Sequence, residues 1–301
     1  EQALREKLAT IHGVSANNVV LTPGSKWGVF ATMFLMLKGG GNVVVPTPYW
    51  TAYELTAKTL GAETRLLKTE LDDRWRIDAE KLESLIDKNT RMIILNNPNN
   101  PTSNVIDPKV LDGVVQIANE KKIPILSDEV YGTISFVKTK SILDYDGNHV
   151  MITGFSKMFT MTGWRIGYLI ANKELVDRIA KLNQITFTNV PVFIQEAALR
   201  ALGMHDQLTK GIKREYQERA KIASEILAKA HLEFTKPDAP FYVFPKHRGL
   251  DSERFALDLL DKGVAVAPGT AFGDYREHFR ISLTVPRNEI VTALNKICEA
   301  L

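Results

Sequence analysis

The sequence has one cysteine, Cys298, in an amphipathic stretch at the C-terminal end. A lone thiol excludes an internal disulfide and fits a reducing compartment. With no histidine near it in sequence, it reads as a small packed residue rather than a catalytic one. Long apolar runs are also missing. None approaches the ~18 residues that a membrane-spanning helix needs, so no transmembrane segment is expected. No basic-apolar-small leader is read at the start of the chain, so none is expected, and the cytoplasm is the expected location. Basic blocks are absent: 38 Lys and Arg against 35 Asp and Glu leave a net charge of +3 spread along the chain. That reads as a mixed solvated surface, not a nucleic-acid footprint. There is no internal repeat and no low-complexity linker, and no metal site is assigned.

The 301 residues are 45% hydrophobic and 24% charged, as in ordinary globular proteins. A chain of this length accommodates two domains and buries roughly 75% of its extended surface. Short β-rich runs alternate with helical patterns over the first two-thirds. The strand candidates are Asn18–Leu21, Asn42–Val45, Glu63–Leu67, Arg91–Asn96, Ile123–Ser127, His149–Thr153 and Ile166–Ala171. Amphipathic helices such as Ala79–Ile86 and Lys109–Lys121 lie between them. This alternation predicts an α/β domain whose mainly parallel seven-stranded sheet is covered by helices on both faces. Beyond Asn172 the pattern changes to long helices, Lys173–Gln184, Val192–Leu202 and Asp206–Ala230. The remainder reads as a smaller α+β unit. Its strands are expected near Leu232–Phe234, Phe241–Phe244, Val264–Ala267 and Phe279–Leu283, its helices at Ser252–Lys262 and Arg287–Glu299. The expected division is 1–205 and 206–301.

In open α/β sheets, ligands bind beyond the carboxyl ends of the strands, and the chemistry-bearing segments here all follow strands. Thr22-Pro23-Gly24-Ser25-Lys26 opens an apolar helix. Backbone N–H groups at such a start form an anion site, which makes Gly24, Ser25 and Lys26 candidates for a phosphate; alone, a Gly-Ser turn is more often a plain cap. Pro46-Thr47-Pro48-Tyr49-Trp50 presents aromatics that either stack on a flat ring or join Tyr53 in a core cluster. Asn96-Asn97-Pro98-Asn99-Asn100-Pro101-Thr102-Ser103 is a turn on any reading. In Ser127-Asp128-Glu129-Val130-Tyr131, a buried carboxylate needs a partner, a helix cap being the plainer alternative. The most informative run is Ser156-Lys157-Met158-Phe159-Thr160-Met161-Thr162-Gly163-Trp164-Arg165-Ile166-Gly167-Tyr168. It places Lys157 eight residues before Arg165 and 29 beyond Asp128. Apolar neighbours predict a desolvated, nucleophilic amine at Lys157, while Arg165 offers a fixed planar cation. An amine able to form an imine, an arginine for a phosphate and a carboxylate for a ring nitrogen are what pyridoxal phosphate (PLP) requires of a protein.

Together these segments resemble the class I/II aminotransferases, a PLP fold type I family that includes aspartate aminotransferase. The match runs in order from Leu4-Arg5-Glu6 to the C-terminal helix. The resemblance implies that Lys157 forms the Schiff base and that Asp128 keeps the pyridine nitrogen protonated. Tyr131, reaching from the same helical turn as Asp128, and Asn100 would contact the phenolic oxygen, and Trp50 would stack on the ring. Arg165 and the Gly24-Ser25-Lys26 turn would hold the phosphate. Arg280, which follows Pro268-Gly269-Thr270-Ala271-Phe272-Gly273, would bind the substrate α-carboxylate. Two positions depart from the family: its usual glycine is Ser103, strained if φ is positive there, and a phosphate-binding serine of many relatives is Gly154.

The same resemblance implies ping-pong transfer between an L-amino acid and a 2-oxo acid, in a homodimer with shared active sites. It also implies several dozen residues ahead of Glu1, an arm that helps to close the site, so the sequence reads as a fragment. In the aspartate-specific eukaryotic-type branch a partner arginine reads the dicarboxylate; the position nearest by spacing is Gln184, which disfavours that route. Two alternatives stay open. One is a lyase of the same fold, of the C–S lyase or aminocyclopropane-carboxylate synthase kind. The other is the aminotransferase-like sensor module of certain transcription regulators, although no winged-helix domain is visible.

Overall fold

The computed structural model describes residues 2–301. Helix α1 (Gln2–His12) leads into β1 (Val19–Thr22), α2 (Ser25–Leu37), β2 (Asn42–Pro46), α3 (Ala52–Thr59) and β3 (Glu63–Leu67). Then come α4 (Ala79–Ser84), β4 (Thr90–Asn96), α5 (Pro108–Glu120), β5 (Ile125–Asp128), β6 (Val150–Gly154), α6 (Phe155–Met158) and β7 (Gly167–Ile170). These strands form one seven-stranded sheet in the order β1-β7-β6-β5-β4-β2-β3. All neighbours are parallel except β7, which runs antiparallel to both β1 and β6.

The inner strands read as mostly apolar runs because both faces of the sheet are covered. Alternation survives underneath: in β4, Ile93 and Leu95 enter one core cluster while Met92 and Ile94 enter the other. The first cluster lies under α1, α5 and α8, the second under α2, α3 and α7. Every residue of β5 and β6 is buried, so these strands can position groups at their ends with little freedom. Only β3, at the sheet edge, is largely exposed.

Long helices α7 (Lys173–Thr186), α8 (Val192–Gly203) and α9 (His205–Lys229) follow. A second sheet of order β8-β10-β9 comes from β8 (Tyr242–Val243), β9 (Ala267–Pro268) and β10 (Phe279–Ser282), with α10 (Ser252–Asp261) and α11 (Arg287–Glu299) against it. Trp75, Phe244, Phe272 and Tyr275 form a separate aromatic cluster that seals this sheet to the loop after β3. Among the described residues, no helix is long and apolar enough to cross a membrane.

Sequence-based expectations fail in places with physical causes. Helices α1 and α3 had not been anticipated; α3 buries only Tyr53 and Ala57, too few for a visible periodicity. The strand expected at Leu232–Phe234 reduces to a single bridge between Glu233 and Lys246. The strand expected at Phe241–Phe244 shrinks to two residues, because Phe241 has φ of 86° and Pro245 cannot donate to the ladder.

Candidate active site

A cavity of about 410 Å³ opens at the carboxyl ends of β4, β5 and β6. Ser25, Lys26, Trp50, Asn100, Asp128, Tyr131, Lys157, Arg165 and Arg280 all line it. Of the sequence candidates, only Gly24 is not on its wall, and it stands directly behind: a Cβ built there would lie 2.7 Å from a guanidinium nitrogen of Arg165.

Lys157 sits in the four-residue helix α6, which starts directly after its N-cap Gly154. Phe155 and Met158 turn into the core, leaving Ser156 and Lys157 on the cavity side, half-buried. The amine lies 5.3 Å from the ring centre of Phe241. The segment then turns sharply, with φ of 54° at Thr160 and 51° at Arg165. Such positive φ is costly for residues with a side chain, and here it aims Arg165 back at the start of α2. Arg165 Nη1 donates to the carbonyl of Thr162 at 2.8 Å and the side chain is exposed.

The absent serine at 154 has a steric explanation. A Cβ on Gly154 would meet Cα of Gly167 at 3.1 Å and the carbonyl of Ile166 at 3.2 Å. Gly154 and Gly167 face each other across β6 and β7. A Cβ on Gly167 would in turn approach the Ser25 nitrogen to 2.6 Å. This pair of glycines lets the N-terminus of α2 seat on the sheet, where its free N–H groups favour an anion.

Asp128 ends β5 and is buried. Tyr53 donates to its Oδ2 at 2.9 Å and the Val130 N–H approaches Oδ1 at 3.4 Å. Burial pushes the carboxyl up to about 6, against the pull of these two donors and of the Lys157 charge. A carboxylate held in this way is suited to a cationic group in the cavity. Tyr131 does not share a helical turn with Asp128, as had been expected: the chain makes a turn and Tyr131 precedes a short 3₁₀ segment, Gly132–Ile134. Its hydroxyl still faces the cavity, 3.3 Å from that of Tyr242. Burial first, and then Tyr242, raise the Tyr131 phenol well above its ordinary range.

Asn100 is fixed from two sides. Its N–H donates to Asn96 Oδ1 at 2.7 Å, and its Oδ1 accepts from Arg280 Nη1 at 2.9 Å. Asn96 also donates to the carbonyl of Asp128 at 2.9 Å, so one chain of hydrogen bonds joins Asp128 to Arg280. Ser103 closes the turn with φ of 58°, the left-handed conformation that glycine adopts freely. Among the aromatics, Tyr49 and Tyr53 are core residues, while Trp50 is half-buried on the cavity wall, edge-on to Tyr53 at 5.4 Å and with the Lys26 amine 4.9 Å from its ring centre.

The sequence reading missed Tyr53, Asn96 and Tyr242. Tyr53 had been considered only as core, and Asn96 only as turn; no local signal separates those readings. Among the described residues, none of Lys26, Lys157, Arg165 and Arg280 has a carboxylate within 4.0 Å. Four cations facing one buried carboxylate leave the cavity short of negative charge, which fits an anionic ligand carrying a phosphate and a substrate carrying a carboxylate.

Residues 1–297 match the family described as aminotransferase class I and II. An aspartate aminotransferase of Thermococcus kodakarensis is 39% identical over 281 residues, 93% of this chain and 74% of that protein. An aromatic-amino-acid aminotransferase of Thermococcus litoralis is 32% identical, over 100% of this chain and 81% of that one. The crystal structure of Thermotoga maritima aspartate aminotransferase superposes with a TM-score of 0.94 at 32% identity, covering 99% of this chain and 81% of the other. The chain therefore belongs to the class I and II aminotransferases, enzymes that move an amino group between amino acids and 2-oxo acids.

Proposed function

We propose that this chain uses PLP, held by the residues gathered in the cavity. The observation that carries the proposal is the convergence of Lys157, Asp128, Arg165 and Arg280 on one space. The N-terminus of α2 at Gly24, Ser25 and Lys26, together with Arg165, would hold the phosphate. Asp128 would pair with the ring nitrogen, Asn100 and Tyr131 would serve the phenolic oxygen, and Trp50 would cover the ring. When bound, the cofactor supplies an electron sink for the substrate Cα and a carbon that carries the amino group between half-reactions.

The remaining steps belong to the protein. Arg280 grips the substrate α-carboxylate and orients the Cα–H bond towards Lys157. Lys157 Nζ takes the Cα proton as general base and later returns a proton as general acid. Asp128 would pair with the cationic ring nitrogen and so stabilise charge that develops during transfer. Because its carboxyl is pushed up to about 6 without that cation, pairing with the ring brings it back towards the ionised form.

The substrate reading follows the relatives. Several similar proteins are named aspartate aminotransferases, so aspartate with a 2-oxo acid acceptor is the first pair to test. An aromatic donor is the second, because Trp50, Tyr53 and Tyr242 line the cavity. Exposed Trp164, Ile185, Val192 and Phe193 flank the segments near Arg165 and between α7 and α8. We assign them to contact with a second copy of the chain, and divide the protomer into a large unit, 1–205, and a small one, 206–301.

The test is covalent attachment. The protein is loaded with PLP, reduced with borohydride and digested. A phosphopyridoxyl group on Lys157, lost in Lys157→Ala together with nearly all transamination, is expected. Robust transamination by Lys157→Ala, or attachment at another lysine, defeats the proposal. A half-reaction screen across the common amino acids ranks the donors, and sedimentation velocity tests the dimer.

A further inference from the structure

Arg280 lies on β10, the central strand of the small sheet, with β8 on one side and β9 on the other. On the β8 side, Tyr242 pairs with Ser282. That puts Tyr242 diagonal to Arg280 on one face of the ladder, within reach of a long side chain. The guanidinium carbon stands 4.4 Å from the Tyr242 ring centre. On the β9 side, Ala267 pairs with Arg280 and the chain continues to Phe272, whose ring centre is 4.9 Å from the same carbon. Both rings are buried. The guanidinium is thus held between two aromatic rings. Nη1 is tied to Asn100, while Nε is buried without a hydrogen-bond partner.

A buried, unpaired donor on a cation is costly. Aromatic faces offset part of the lost hydration without using any N–H group. They also restrict rotation of the guanidinium plane, and Arg280 lines the cavity, so a substrate meets a fork already held in place. A planar fork presented in that way matches a carboxylate with two parallel hydrogen bonds.

We infer that Tyr242 is a positioning residue for substrate binding: its ring face, not its hydroxyl, pre-orients Arg280 for the α-carboxylate. This rests on the assignment of Arg280 as the carboxylate site. Its effect belongs in substrate affinity rather than in chemistry, because the ring acts on the binding cation.

The test uses the PLP-loaded enzyme with propionate as an unreactive carboxylate probe, measuring its inhibition constant alongside KM and kcat for the amino donor. Tyr242→Met keeps an apolar side chain of adaptable shape but removes the π face; Tyr242→Phe keeps the face and removes the hydroxyl. Tyr242→Met is expected to raise the propionate constant and the donor KM about 3- to 30-fold, with kcat within about threefold. Tyr242→Phe is expected to stay within about twofold of the parent on both. Equal affinity in Tyr242→Met and the parent overturns the inference, and so does equal weakening in Tyr242→Phe and Tyr242→Met. Arg280→Gln separates the two levels. If it binds propionate like the parent, the carboxylate assignment itself fails. If it loses propionate while Tyr242→Met does not, only the role of Tyr242 fails. Should Tyr242→Met not fold, Tyr242→Leu removes the same face, and unchanged propionate affinity there overturns the inference equally.

Discussion

The two sheets contribute to the cavity in different ways. The large sheet delivers Asp128 and Lys157 from the ends of fully buried parallel strands, whose residues are locked on both faces. The small sheet delivers Arg280 from a four-residue strand flanked by strands of only two residues. Short strands fix a backbone poorly, and here the side chain is held instead by aromatic faces and by Asn100 of the large unit. The groups assigned to chemistry stand on the stiffer scaffold, and the group assigned to substrate binding stands on the softer one. If this contrast is real, damage on the large side should appear in kcat and cofactor retention, and damage on the small side in KM.

After Lys157 itself, the largest effect is expected at Asp128. Asp128→Asn should lower kcat by about 10²–10³, the usual cost of losing one well-placed electrostatic partner, and weaken PLP retention. In the cofactor-free chain the sign of the stability effect reverses. The Asp128 carboxyl rises from 3.8 to about 6 on folding, so its favourable, protonated state is fully present below about pH 4 and is lost as pH rises through 6. The burial cost above pH 6 is about 3 kcal/mol by linkage. Cofactor-free Asp128→Asn should therefore be more stable than the parent at pH 8 in urea titrations, with the gain gone at pH 4. A variant less stable at both pH values would remove the premise that Asp128 waits for a cation.

Arg280→Lys comes next. A lysine cannot present the bidentate fork, and the donor KM should rise about 10- to 100-fold. The absorbance of bound PLP should be unchanged. Loss of PLP instead would erase the division of labour between the two sheets.

The contrast also explains what the sequence made legible. All seven strands of the large sheet lie within two residues of their expected bounds, because burial on both faces writes a mostly apolar run into every strand but the exposed edge strand β3. Asp128, Lys157 and Asn100 were visible since each lies at or just past the end of such a run, and Arg165 through its spacing from Lys157. In the small unit, where strands shrink to two residues, Leu232–Phe234 looked like a strand without becoming one. Tyr53 escaped notice for another reason. It is a core residue by packing and a partner of Asp128 by one hydroxyl, and only the folded chain brings that oxygen to the carboxylate. Tyr242 is similar: its relation to Arg280 depends on strand register, which no local pattern encodes.

A smaller effect tests the rigidity of the large sheet. Gly167→Ala places a methyl 2.6 Å from the Ser25 nitrogen and 2.8 Å from the Gly24 carbonyl carbon, both backbone atoms that cannot swing aside. Overpacking of this kind costs about 1–3 kcal/mol. PLP affinity should fall while the donor KM, measured at saturating PLP, changes little. A variant with unchanged PLP affinity would mean that the N-terminus of α2 can shift freely, and that the large sheet is less stiff than its burial suggests.

The smallest effect lies where the turn after β4 meets the segment before β8. Ser103 holds φ of 58°, accepts from the Asp238 N–H through its carbonyl at 3.0 Å, and donates through Oγ to the Pro240 carbonyl at 3.4 Å. Ser103→Ala removes the long hydroxyl bond but keeps the left-handed backbone, and should cost about 1 kcal/mol. Ser103→Gly removes the same bond but also relieves the conformational penalty, about 1–2 kcal/mol for a residue with a Cβ. Glycine gives back part of that as chain entropy. The two losses and one gain nearly cancel, so Ser103→Gly should lie within about 0.5 kcal/mol of the parent and above Ser103→Ala in urea titrations. Equal stabilities for the alanine and glycine variants would mean that the turn carries no strain. The serine would then sit there without conformational cost, and the contact would be set by its hydrogen bonds alone.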